Sequence, residues 1–138
     1  MNGRSNLTHL IVEFYERLTA WEQDVLRDKG VTLQQMHTLE ILGAHGPLRM
    51  KELAQKMGVT TGTLTVMVDR LERGGHVERR PHDQDRRSII VALTASGREL
   101  FLEHDALHHR LTADITAGLD EAELRVLEAV LRKMVKEF

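Results

Sequence analysis

Leu7, Leu10, Ile11, Phe14, Leu18, Trp21 and Val25 recur every three or four positions. That spacing predicts one amphipathic helix over about residues 5–28, closed near Gly30. Thr32 and Gln35 have the spacing of a capping box for a second helix, whose inward positions are Met36, Leu39 and Leu42. Gly43, Gly46 and Pro47 close it. A short third helix is expected over about residues 50–57, broken by Gly58. Thr60 then caps a fourth, with Leu64, Met67 or Val68, and Leu71 facing inward and Gly74-Gly75 ending it abruptly.

The period then changes from helical to alternating. His76 to Arg80 and Ser88 to Leu93 read as short strands, and the polar stretch Pro81-His82-Asp83-Gln84-Asp85-Arg86-Arg87 between them reads as a charged hairpin tip. Thr94 caps a fifth helix that runs to about Thr116 and stops at Gly118. Asp120 and Glu123 cap a sixth, with Leu124, Leu127, Val130 or Leu131, Met134 and Phe138 on one face. The expected fold is mainly α. It is a single domain over residues 1–138, with a winged helix-turn-helix at 31–94 and helical dimerisation parts at 1–30 and 95–138.

Composition narrows the function. The 138 residues contain no cysteine, which excludes disulfides, thiolate metal sites and cysteine chemistry. The longest apolar run, Ile89 to Leu93, is far short of the roughly 18–20 residues that a membrane span needs. The first residues, Met-Asn-Gly-Arg-Ser-Asn, show no signal-peptide core, so a cytoplasmic protein without a membrane partner is expected. Net charge is −2, but residues 49–90 carry +3 and the remainder −5. A basic middle between acidic flanks marks a local anion-binding face.

Two helices joined by Gly58-Val59-Thr60, followed by a β-hairpin, make a winged helix-turn-helix. With Leu64, Val68 and Leu71 inward, the fourth helix turns Thr61, Gly62, Thr65, Val66 and Asp69 outward. Its small leading residues let it enter the roughly 12 Å wide major groove and touch base edges and thymine methyls. Its N-terminal amides favour phosphate, and Thr60 and Thr63 count among the residues expected to contact DNA. Arg70 and Arg73 lie further along, within reach of the backbone. At the hairpin tip, Arg86 and Arg87 can enter the narrow minor groove, with Asp85 positioning a guanidinium. The order of helix, turn, small-faced helix, double glycine, strand, arginine tip and strand points to double-stranded DNA. The terminal helices carry apolar stripes longer than a winged helix can cover, which points to a homodimer reading two half-sites of one operator.

Residues 31–97 resemble the MarR family of bacterial transcription regulators. The residues that carry the resemblance are Lys51-Glu52-Leu53-Ala54, Gly58-Val59-Thr60, Val68-Asp69-Arg70-Leu71-Glu72-Arg73-Gly74-Gly75, Glu78-Arg79, Asp83-Gln84-Asp85-Arg86-Arg87, and Val91-Ala92-Leu93-Thr94 with Gly97. The flanking helices match the family in length and order. The resemblance implies a homodimer built from the first, fifth and sixth helices on a near-palindromic operator, acting as a repressor.

His104 and His108 lie four apart, on one face of the fifth helix, a spacing that suits two imidazoles on one metal ion. One branch of the family senses zinc. The resemblance to that branch places His104 and His108 on its histidine pair, His37 on its second-helix histidine and Asp24 near its carboxylate, with Glu22 and Glu16 as rival fourth ligands. It implies a tetrahedral Zn2+ site of three nitrogens and one oxygen. The branch's second site needs a cysteine that this chain lacks, and Met36 stands where an acidic ligand belongs. Other relatives respond to phenolic or lipophilic anions, for which His37, Trp21 and Arg17 would line a pocket. An enzyme is disfavoured, because no phosphate loop, nucleophile-base pair or His-Glu-x-x-His pattern is present. A pure protein-interaction module would have no use for the wing arginines.

Overall fold

The computed structural model describes residues 3–138. Helix α1 spans Gly3–Leu26, α2 Leu33–His45, α3 Met50–Met57, α4 Thr61–Arg73, α5 Ala95–Ile115 and α6 Glu121–Val135. Three short strands, β1 Leu48–Arg49, β2 Val77–Pro81 and β3 Ile89–Leu93, form one antiparallel sheet in the order β1-β3-β2. The chain divides into two compact units, one ending at Phe101 and the other spanning Leu102–Phe138. No helix among the described residues is long and apolar enough to cross a membrane.

The local signals act as their chemistry dictates. Thr32 Oγ1 accepts from the Gln35 amide at 3.1 Å while Gln35 Oε1 accepts from the Thr32 amide at 2.8 Å, closing the capping box of α2. Asp120 and Glu123 make the same reciprocal pair at the start of α6. Gly58, at φ 68, ends α3 in the left-handed conformation that a side chain disfavours. The core of the first unit then forms where α2, α3, α4 and the sheet converge. Met36, Leu39, Leu42, Leu53, Leu64, Val68, Leu71, Val77 and Val91 are all essentially inaccessible there.

One element escapes the sequence pattern. Leu48 and Arg49 form a third strand, pairing with Val91 and Ile90 and so joining the turn after α2 to the wing. A two-residue strand has no periodicity to detect. The join between wing and α5 is also tight. Thr94 donates its amide to the His76 carbonyl at 3.1 Å and its hydroxyl to the Gly75 carbonyl at 2.6 Å. A β-carbon on Gly97 would lie 1.9 Å from the His76 carbonyl oxygen, so only glycine fits.

In the second unit α6 buries nothing: Leu124, Leu127, Val130, Leu131 and Met134 are all exposed. An apolar groove of about 690 Å3 runs past Thr112, Thr116, Leu124, Leu127, Leu131 and Val135. Leu7, Leu10, Ile11 and Phe14 of α1 are exposed as well. The amphipathic stripes expected from the sequence are present, but their apolar sides face solvent in the single chain.

Candidate nucleic-acid interface

The reading helix α4 begins at Thr60, whose hydroxyl oxygen accepts from the Thr63 amide at 3.1 Å. Leu64, Met67, Val68 and Leu71 anchor one side in the core. Gly62, Val66, Asp69 and Arg73, spaced by three and four, form the stripe opposite. Thr61, Gly62, Thr63, Thr65 and Val66 are all exposed, as expected for a groove-facing surface, and so are Arg70 and Arg73. The Thr65 hydroxyl donates to the Thr61 carbonyl at 2.8 Å.

Asp69 has a partner that the sequence did not reveal. Arg79 of β2 donates Nη2 to Asp69 Oδ1 at 2.6 Å and Nη1 to Glu72 Oε1 at 2.9 Å. Its own amide donates to Glu72 Oε2 at 3.0 Å. One arginine therefore ties the outer face of α4 to the first wing strand. The arrangement is charge-assisted and directional, which suits a guanidinium and not an ammonium. In the sequence Arg79 was only one basic residue of a strand. Its partners lie seven and ten positions back, a separation that follows no helix or hairpin rule.

At the wing tip, Asp85 shapes the turn more than it holds a guanidinium. Its carboxylate accepts from the Arg87 amide at 3.0 Å and the Ser88 hydroxyl at 3.3 Å. The Arg87 Nε stands 3.9 Å away. The Arg87 side chain is 98% exposed, and Arg86 is exposed too. Two arginines thus project from a turn braced by one aspartate. At the wing base, Arg49 Nη2 lies 3.3 Å from His82 Nε2, joining β1 to the tip segment.

The four residues expected to ligate metal differ in character. His104 is 3% exposed, and its Nε2 lies 3.1 Å from that of His108, the rings meeting edge to face. That separation is the length of a hydrogen bond between the two rings, and it is close to the roughly 3.3 Å between two imidazole nitrogens on one tetrahedral zinc at about 2.05 Å each. Asp24 is exposed and engaged by Arg27 at 2.6 Å. His37 is exposed on α2. Arg17, expected in an organic-anion pocket, pairs with Glu13 at 2.9 Å on the exposed side of α1.

A model of the MarR family matches residues 31–89. The transcriptional repressor NicR of Pseudomonas putida is 32% identical over 127 residues, which cover 92% of this chain and 80% of NicR. The chain belongs to the MarR family. Streptococcus pneumoniae FabT, solved in complex with DNA, superposes with a TM-score of 0.90 at 26% identity over 96% of this chain and 95% of FabT. A MarR family protein from Bacillus stearothermophilus superposes at 0.88 with 28% identity, over 99% and 97% of the two chains.

This MarR-family protein is therefore a DNA-binding transcriptional regulator of the winged-helix type. The regulator carries the three features that such binding requires: a capped helix with a small outer face, exposed arginines along its last turns, and a wing with two projecting guanidinium groups.

Proposed function

We propose that the regulator acts in the cytoplasm as a homodimeric repressor on a near-palindromic operator, with zinc as its effector. The observation that carries the dimer is the apolar row of α6, exposed over Leu124, Leu127, Leu131 and Met134, the first three of which line a groove. A row of that length needs a cover, and a second copy presenting the same row provides one through two-fold symmetry. Two copies also set two α4 helices roughly one DNA turn, about 34–36 Å, apart. Light scattering of the purified protein checks this: a dimer mass is expected, and a stable monomer would refute it.

The effector reading rests on the pair of buried His104 and partly buried His108 and its 3.1 Å nitrogen separation. Imidazoles with one carboxylate suit zinc. Bound zinc would fix ligands on separate helices and thereby bias the spacing of the two reading heads. Such coupling typically changes DNA affinity by about 1–3 kcal/mol. Calorimetry with zinc on the wild type and on His104→Ala tests it. Equal binding by both proteins would remove the site.

A further inference from the structure

Which bases the regulator reads depends on which atoms of α4 remain available to a base edge. The stripe farthest from the core is Gly62, Val66, Asp69 and Arg73. Gly62 has no side chain. The Asp69 carboxylate is held by the Arg79 guanidinium at 2.6 Å, which competes with its acceptance of a cytosine amino group. Arg73 lies in the last turn, with its Nε directed back to the Asp69 carbonyl at 3.4 Å. Beside the stripe, Thr65 directs its only hydroxyl proton to the Thr61 carbonyl at 2.8 Å, so it has none to donate to a purine N7 or a thymine O4. Thr60 donates its hydroxyl to Thr63 Oγ1 at 3.1 Å within the cap, and Thr61, Thr63 and Arg70, all exposed, lie to the sides of the stripe and not on it. On the stripe itself, what is left at the centre of the first two turns is apolar, namely the Val66 side chain, 51% exposed. No amide side chain occurs anywhere along α4, so bidentate reading of adenine is absent too.

We infer that Val66 is the specificity-determining residue of the major-groove contact and that its ligand is the C5 methyl of thymine. The half-site is then thymine-bearing opposite Val66, and discrimination there comes from apolar burial and not from hydrogen bonding. Gly62, one turn earlier, lets the helix approach closely enough for that contact. The inference rests on the DNA-binding reading, and it assigns the base class that this reading left open.

The experiment selects an operator from a random duplex pool with the wild-type protein. Each thymine of the selected half-site is then replaced by deoxyuridine, which lacks only the methyl group. Affinities of the wild type and Val66→Ala are compared by fluorescence anisotropy. One thymine per half-site should be sensitive, losing about fourfold in affinity when its methyl is absent, as expected for one buried carbon. Val66→Ala should bind the thymine and uracil duplexes equally while keeping the wild-type melting temperature, since the side chain it trims is exposed. A selected half-site without a methyl-sensitive thymine would overturn the inference and leave DNA binding intact. So would a Val66→Ala protein that still distinguishes thymine from uracil. A pool that yields no preferred sequence at all would instead overturn the DNA-binding reading beneath it.

Discussion

Replacing Arg79 with alanine separates the contribution of the α4–wing tie from that of either element. The guanidinium is 22% exposed, and its two carboxylate partners are roughly half exposed. Fully buried charge-pair values therefore do not apply. Two charge-assisted bonds at such a site, with loss of the packed alkyl stem, amount to about 1–2 kcal/mol. For a chain of this length that is a fall of about 4–8 °C in melting temperature. The effect on DNA has a second source. Without Arg79, Asp69 and Glu72 are left as uncompensated anions on or beside the helix face that meets a polyphosphate. A further loss of operator affinity, about tenfold, is expected from that repulsion at moderate salt. Differential scanning fluorimetry and anisotropy titrations on one operator duplex read the two effects. Asp69→Ala added to Arg79→Ala should recover much of the affinity without recovering the stability. Lysine at position 79 should fall between wild type and alanine, because one ammonium cannot serve both carboxylates in the same geometry. If Arg79→Ala melts and binds like the wild type, or if the double variant binds no better than the single, the tie has been misread.

Other consequences follow from the same geometry. Gly97→Ala forces a β-carbon to within 1.9 Å of the His76 carbonyl oxygen and should cost about 3 kcal/mol or more, seen as a large drop in melting temperature or loss of soluble protein. Gly43→Ala meets the Phe101 ring at 2.4 Å, a side chain that can swing, and should cost about 1–3 kcal/mol by the same measurement. Arg86→Ala and Arg87→Ala should leave the melting temperature unchanged, weaken operator binding, and lower the salt dependence of affinity by about one unit for each phosphate that is no longer neutralised. Leu127→Asp, placed on the exposed row of α6, should leave the secondary structure intact by circular dichroism and yield a monomer by light scattering.

How far the sequence could be read depends on the range of the interactions involved. Capping pairs such as Thr32–Gln35 and Asp120–Glu123 act over three residues, so their chemistry is visible in the chain and the helices begin where expected. The core face of α4 was equally plain, because Leu64, Val68 and Leu71 repeat with the helix period. What escaped was set by tertiary structure. Leu48 and Arg49 become a strand only because Val91 and Ile90 are there to pair with them. Asp69 has the position of a base-reading residue and is claimed by Arg79, ten residues on. Asp24 and Glu22 could not be separated by spacing. Exposure of the apolar faces of α1 and α6 in the single chain accords with stripes too long for a winged helix to cover.

The central claim is that two copies of this chain lay their α4 helices into successive major grooves of one duplex. Native mass spectrometry of the protein with its selected operator, paired with hydroxyl-radical footprinting of the same complex, tests it most directly. Two chains per duplex are expected, with protection on one face of the DNA, centred on two half-sites about one helical turn apart and extending into the flanking minor grooves. One chain per duplex, or protection that does not depend on the sequence of the half-sites, would contradict it.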